Sequence, residues 1–184
     1  MITALQLSKS LNISLERAQK WAGSINFALR KYNINSPMRI AHFIAQIGHE
    51  SGRLIYVAEI ASGKAYDNRA DLGNTKPQAI EYAKKHASTP GRWFKGHGII
   101  QITGFDNHVA VGKALGLDLL NKPHLLEEVG NASMSAAWFW DSRDLNKLAD
   151  QDLLTRITQC INGGLNGIND RRALLVSTKK ALGI

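Results

Sequence analysis

A chain of 184 residues with 44% apolar and 21% charged side chains is long enough to close one sizeable core and too apolar to remain disordered. Its 23 Lys and Arg against 15 Asp and Glu leave a net charge of +8, spread along the chain. That charge asks for an acidic partner but does not choose among nucleic acid, an anionic membrane face and a carboxylate- and phosphate-bearing envelope.

Cys160 is the only cysteine, so no intramolecular disulfide can form, and no run of 18 apolar residues offers a membrane span. The opening MITALQLSKSLNIS has no basic segment leading into an apolar one, so no secretion signal is read there. Residues 3–32 read as short helices: one from Leu5 to Leu11, one capped by Ser14, and one through Ile25, Phe27, Ala28 and Leu29. The basic stretch LSKSLNISLERAQKWA has the outline of a helix-turn-helix. Its second helix, however, carries Leu15, Ala18 and Trp21/Ala22 as an apolar stripe that calls for burial, where a recognition helix needs an exposed face. A packing role is expected, with no nucleic-acid partner.

Ser36 and Pro37 supply a cap and a first-turn proline for the helix on which the chain is organised. Ile40, Phe43, Ile44 and Ile47 fall at i, i+3, i+4 and i+7, and the same stripe carried forward meets Glu50 and Ser51. Gly52 closes the helix, which puts Glu50 in its last turn. Apolar neighbours and the negative end of the helix dipole both disfavour an ionised carboxylate there, the setting a general acid needs. Glu59, nine residues on and beyond the helix, has more polar surroundings, and two carboxylates in unlike environments suggest an acid and a base. The plainer alternative pairs Glu50 with Arg39 or Arg53 and leaves Glu59 solvated. His42 and His49 are seven residues apart, roughly 10 Å along a helix and too far for one ion, so no metal is expected. His49, beside Glu50, is read as a hydrogen-bonding wall.

From residue 61 to 94 the composition turns to Gly, Asn, Lys and Thr, with a helix from about Gln78 to His86 after Pro77. Residues 96–104, GHGIIQITG, read as an extended, β-like segment that lets a ligand approach the backbone. A helix from Asn107 to Leu117 ends at Gly116, and the run ASMSAAWFW is core. Asn162 precedes Gly163 and Gly164 at a second place where backbone can approach a ligand. Cys160 is placed on the apolar side of that segment as a buried thiol.

Three blocks in order carry a resemblance. HFIAQIGHES resembles the acid-bearing helix of the glycoside hydrolase family 19 chitinases and their phage endolysin relatives. YDNRADLGN followed by GHGIIQITG is similar to that family's Y-x-x-R-x-x-L-G-N and G-R-G-x-I-Q-[LI]-[TS]-G signature, and ITQCINGGLNGINDR to its I-N-G-G-x-x-G-x-x-x-R segment. One departure stands out: His97 occupies the place of the family's arginine, so an ion pair there is lost or replaced.

The resemblance implies a mainly α-helical, lysozyme-like two-lobed domain, with a cleft between a large lobe and a smaller one at about residues 61–95. The whole of 1–184 is then one catalytic domain with no separate wall-binding domain. It implies an inverting acid/base mechanism with Glu50 as acid, Glu59 as base and Thr103 helping to hold the attacking water; by spacing alone Thr103 is equally a strand residue. Gln101, Asn162 and Arg171 match substrate-contact positions, while Tyr66 and Arg69 either line the cleft or pin the smaller lobe. No cofactor is required. The expected enzyme is an endolysin-type glycosidase cutting β-1,4 bonds of peptidoglycan. It is monomeric and not membrane-inserted, made in the host cytoplasm, and reaches the wall after a separate protein permeabilises the inner membrane. The alternatives are a chitinase on N-acetylglucosamine polymers, a lytic transglycosylase, and a non-catalytic wall- or DNA-binding module.

Overall fold

The computed structural model describes residues Met1–Ile184 as ten α-helices and three short 3-10 turns, with two isolated β-bridges in place of a sheet. The chain divides into two compact units, one of Met1–Ile55 with Ala136–Ile184 and the other of Tyr56–Ser135. The stretch expected as a smaller lobe, residues 61–95, falls inside the second unit, which runs on to Ser135. No helix is long and apolar enough to cross a membrane.

The first unit is built on α3, Pro37–Glu50. Ser36 caps it by accepting the Arg39 N–H at 3.2 Å, and Pro37 sits in the first turn. Its stripe is buried as expected, with Ile40, Phe43, Ile44 and Ile47 all at 2% exposure or less. Phe43 meets Trp140 of α7 (Val129–Asp141) edge-on at 5.5 Å. α1 (Ala4–Leu11) and α10 (Ile168–Leu182) both pack on α3. Gly48 makes the close approach possible: a Cβ there would lie 2.5 Å from Leu11 Cδ2 and 3.4 Å from Leu174 Cδ1.

The N-terminal region differs from its expected form. Thr3 and Gln6 form a capping box that starts α1, and α2 runs unbroken from Leu15 to Lys31. Ala18, Trp21, Ala22, Ile25, Ala28 and Leu29 form its buried face, which answers the packing expectation, but Leu15 is 46% exposed. In the opening turn of α2 that side chain projects beyond the end of the buried stripe. Cys160 is exposed, contrary to expectation. In α9 (Leu154–Asn162) the inward face is Leu154, Ile157 and Thr158, and at about 100° per residue Cys160 points well away from it.

The second unit closes over Phe94, Phe105 and Ala79, with Tyr82, Trp93 and Leu120 against them. Its helices include α4 (Pro77–Lys85) and α6 (Phe105–Leu115), the latter ended by Gly116 at φ 68°. Asn74, wholly buried, donates to Tyr66 O at 2.8 Å and accepts the Phe105 N–H at 2.9 Å, latching the loop before α4 to the start of α6. Residues 96–104 are a tight hairpin and not an extended segment. His97 and Ile102 exchange backbone bonds at 3.1 and 2.8 Å, and the reversal between them uses left-handed Gly98 (φ 83°) and Gln101 (φ 55°). The outer edge of His97 bridges Ala58, so the residues just before Glu59 are laddered onto this hairpin.

Candidate active site

In the first unit, Glu50 is the last residue of α3, and its side chain is 18% exposed. Neither arginine named as its plain partner reaches it: Arg39 pairs with Asp150 at 2.6 Å and Arg53 with Asp170 at 2.7 Å. Arg171 does. Its guanidinium, 1% exposed, donates through Nη2 to Glu50 Oε1 and through Nη1 to Gln46 Oε1, while Gln46 Nε2 donates to Thr158 Oγ1 at 3.3 Å. The purely apolar setting read from the stripe is therefore corrected. A residue 121 positions away along the chain brings a permanent cation to the acid, which no local pattern shows. Arg171, expected as a substrate contact, is buried against Glu50. It engages one carboxyl oxygen and leaves Oε2 without a protein partner.

His49 lies flat on Gly167, where a Cβ would come within 2.1 Å of the ring. Its Nδ1 faces Asp170 Oδ2 at 2.8 Å, and Arg53 holds the other oxygen. Burial alone would raise the Asp170 carboxyl, but the bonds from His49 and Arg53 outweigh it and hold it below the usual range. Asn162 spends its amide on its own loop, donating to Asn166 O at 3.1 Å and accepting Gly164 N–H at 2.9 Å. It shapes the glycine turn rather than standing free. Gln46, Thr158 and Asp170 belong to this cluster and escaped sequence reasoning, since each is an ordinary helix or turn residue by local pattern.

In the second unit, Glu59 is held from several sides. Tyr66 OH donates to Oε1 at 2.9 Å, Gly96 N–H to Oε2 at 3.0 Å, and the backbone of Glu59 bonds Gly96 O at 2.8 Å and Lys95 Nζ at 2.9 Å. Burial, and then the bond to Glu59, push the Tyr66 hydroxyl above its ordinary value, so it stays protonated as a donor. Of the two roles left open for Tyr66 and Arg69, Tyr66 touches the carboxylate, whereas Arg69 lies out on Asp71 at 2.5 Å.

Thr103 and Gln101 stand close to Gly96. A Cβ at that glycine would sit 2.5 Å from Gln101 Oε1 and 3.2 Å from Thr103 Oγ1. Thr103 donates its hydroxyl to Gln101 O at 3.0 Å, and Gln101 Nε2 donates to Gly98 O at 2.8 Å, so the Gln101 amide braces the hairpin. His97, in the place of the family arginine, is 4% exposed and faces Glu127 Oε1 through Nδ1 at 2.9 Å. The arginine's ion pair is thus replaced by an imidazole–carboxylate bond. Burial lowers the pKa of His97, so the neutral ring donates from Nδ1. No group of His, Cys, Asp and Glu side chains is arranged to hold a metal.

A helical fold of this kind, with one glutamate pinned at the end of a buried helix and another braced by a tyrosine hydroxyl and a backbone N–H, defines a lysozyme-like glycoside hydrolase. The comparisons name the family. The family model described as Chitinase class I, glycoside hydrolase family 19, matches residues 26–162. A glycosyl hydrolase family 19 domain-containing protein of Haemophilus influenzae is 31% identical over 84% of this chain and 87% of its own. An endochitinase of Arabidopsis thaliana is 34% identical over 76% of the chain, which spans 44% of that protein's length. Chitinase C from Streptomyces griseus superposes with a TM-score of 0.75 at 22% identity, over 99% of this chain and 76% of that one. The chain belongs to glycoside hydrolase family 19 and is a chitinase-like glycosidase.

Proposed function

We propose that this glycosidase cleaves β-1,4 bonds of bacterial peptidoglycan by inversion, as a monomeric endolysin that lyses its host. Glu50 Oε2, the oxygen Arg171 leaves free, carries the proton given to the departing sugar oxygen. Arg171, on the other oxygen, aims the carboxyl. Glu59 is the base. A water between its carboxylate and Thr103 gives one hydrogen to each, since the Thr103 hydroxyl has spent its own proton on Gln101 O and can only accept. The third direction on that water, its lone pair, is left for the anomeric carbon. An inverting pair needs its carboxyl groups about 6.5–9.5 Å apart with substrate bound, to make room for this water.

The observation that carries the reading is the Glu59 carboxylate held by two donors, one of them the Gly96 N–H, with the Thr103 hydroxyl beside the same glycine. The choice of peptidoglycan over chitin rests on charge: +8 favours an anionic wall, and chitin is neutral. The test is mass spectrometry of fragments from purified peptidoglycan and from chitin oligomers. Glu50→Gln should fold normally and release no sugar, and full release by that variant removes the assignment. Turnover confined to chitin oligomers replaces the wall reading with the chitinase one, and anhydro ends in the products replace inversion with transglycosylation.

A further inference from the structure

The chain leaves α3 through an unusual turn. Gly52, Arg53 and Leu54 are all left-handed, at φ 55°, 62° and 61°. Two of them carry side chains that disfavour this conformation, by about 1–2 kcal/mol each. Ser51 supports the turn by donating its hydroxyl to Ile47 O at 2.6 Å and accepting the Leu54 N–H at 2.8 Å. The turn delivers Leu54 and the 53%-exposed Ile55 to the wall of a groove of about 370 Å³ whose other side is the first turns of α2.

Three features of the groove point to a ligand. Arg17 and Lys20 line it side by side, and neither takes part in an ion pair. Trp21 also lines it and is 2% exposed, with its indole N–H donating to no protein acceptor. The enclosed nitrogens without partners are all imidazole, on His42, His86, His97 and His108, so the Trp21 N–H is not among the sealed ones. Thirdly, Leu54 and Ile55 give the groove an apolar wall, while Glu16 and the capping Ser14 stand at its edge. A sugar ring would want an open aromatic face, and Trp21 is only 2% exposed. Neutral chitin gives Arg17 and Lys20 nothing to pair with.

We propose that this groove binds the short peptide that peptidoglycan carries on alternate sugars. Peptide carboxylates reach Arg17 and Lys20, a peptide carbonyl accepts the Trp21 N–H, Glu16 takes the peptide's amine, and alanine methyls lie on Leu54 and Ile55. The groove then selects peptide-bearing glycan for the acid at the other end of the same turn. This inference rests on the peptidoglycan reading above.

The test compares wild type with the double variant Arg17→Gln/Lys20→Gln on three substrates: intact purified sacculi, the same glycan after an amidase has removed its peptides, and chitin oligomers. The variant is expected to lose about tenfold in kcat/KM on intact sacculi at low salt, and to stay within about twofold of wild type on stripped glycan. Equal effects on intact and stripped glycan, or none on either, overturn the groove and leave the peptidoglycan reading standing. A wild type that releases no sugar from either wall substrate yet cleaves chitin oligomers overturns both.

Discussion

Acidification should destabilise the second unit through His108 well before its carboxylates titrate. His108 in α6 is completely buried, donates from Nδ1 to Gly104 O at 2.8 Å, and has its Nε2 enclosed without a partner. Phe94 packs on the ring at 5.3 Å and His97 meets it edge-on at 5.7 Å. Burial pushes its pKa down to about 3, from an ordinary value of 6.5. Between those two values the unfolded chain binds a proton that the folded chain refuses. The stabilisation is therefore complete above about pH 6.5 and is lost as pH falls toward 3. The slope rises to about 1.4 kcal/mol per pH unit below pH 6, so acidification from about pH 6.5 to 4.5 removes roughly 2 kcal/mol, a large share of a typical 5–15 kcal/mol total. His97, also lowered by burial, adds in the same direction, and His42 does the same in the first unit. Asp71, Asp118 and Asp150, held below the usual range by hydrogen bonds from Arg69, Asn121 and Arg39, contribute only at lower pH. Urea unfolding followed by tryptophan fluorescence, in half-unit steps from about pH 7.5 to 4.5, measures the slope. His108→Asn keeps a donor near Gly104 O and cannot titrate, so its curve should be shallower by about 1.4 kcal/mol per unit. Parallel curves for variant and wild type refute the reasoning.

Other expectations are more local. Tyr66→Phe removes one of the two donors to the Glu59 carboxylate, a charge-assisted bond worth about 1.5–3 kcal/mol. It should lower kcat by at least tenfold with KM little changed, and an unchanged kcat means Tyr66 does not set the base. Arg171→Met leaves Glu50 and Gln46 without their buried partner and should cost about 3–5 kcal/mol in a chemical melt. Stability within error of wild type in that variant makes the pair energetically idle. Gly96→Ala drives a methyl to 2.5 Å from Gln101 Oε1 and 3.2 Å from Thr103 Oγ1. The predicted outcome is a folded protein by circular dichroism with hydrolysis reduced more than a hundredfold, and wild-type rates count against the role of Thr103.

The one-dimensional pattern determined a good deal. Apolar spacing at 3.6 residues located α3 and its buried face, and the Ser36-Pro37 start marked its first turn, because these are neighbour effects within a single helix. The break in that stripe singled out Glu50 as the candidate acid, Glu59 stood out as a second carboxylate beyond the helix, and the resemblance singled out Thr103. What no local reading could supply was the company these groups keep. Arg171 reaches Glu50 across 121 residues and Asp170 reaches His49 across the same span, since α10 packs on α3. Likewise the hairpin at residues 96–104 looks extended in sequence, and only pairing with residues beside Glu59 decides that it folds back and lends a backbone N–H to the base. Helical periodicity records which side of an element is buried; which charge waits on that side depends on another element's packing, so the place of Glu50 at the end of the buried stripe was legible and its electrostatic setting was not.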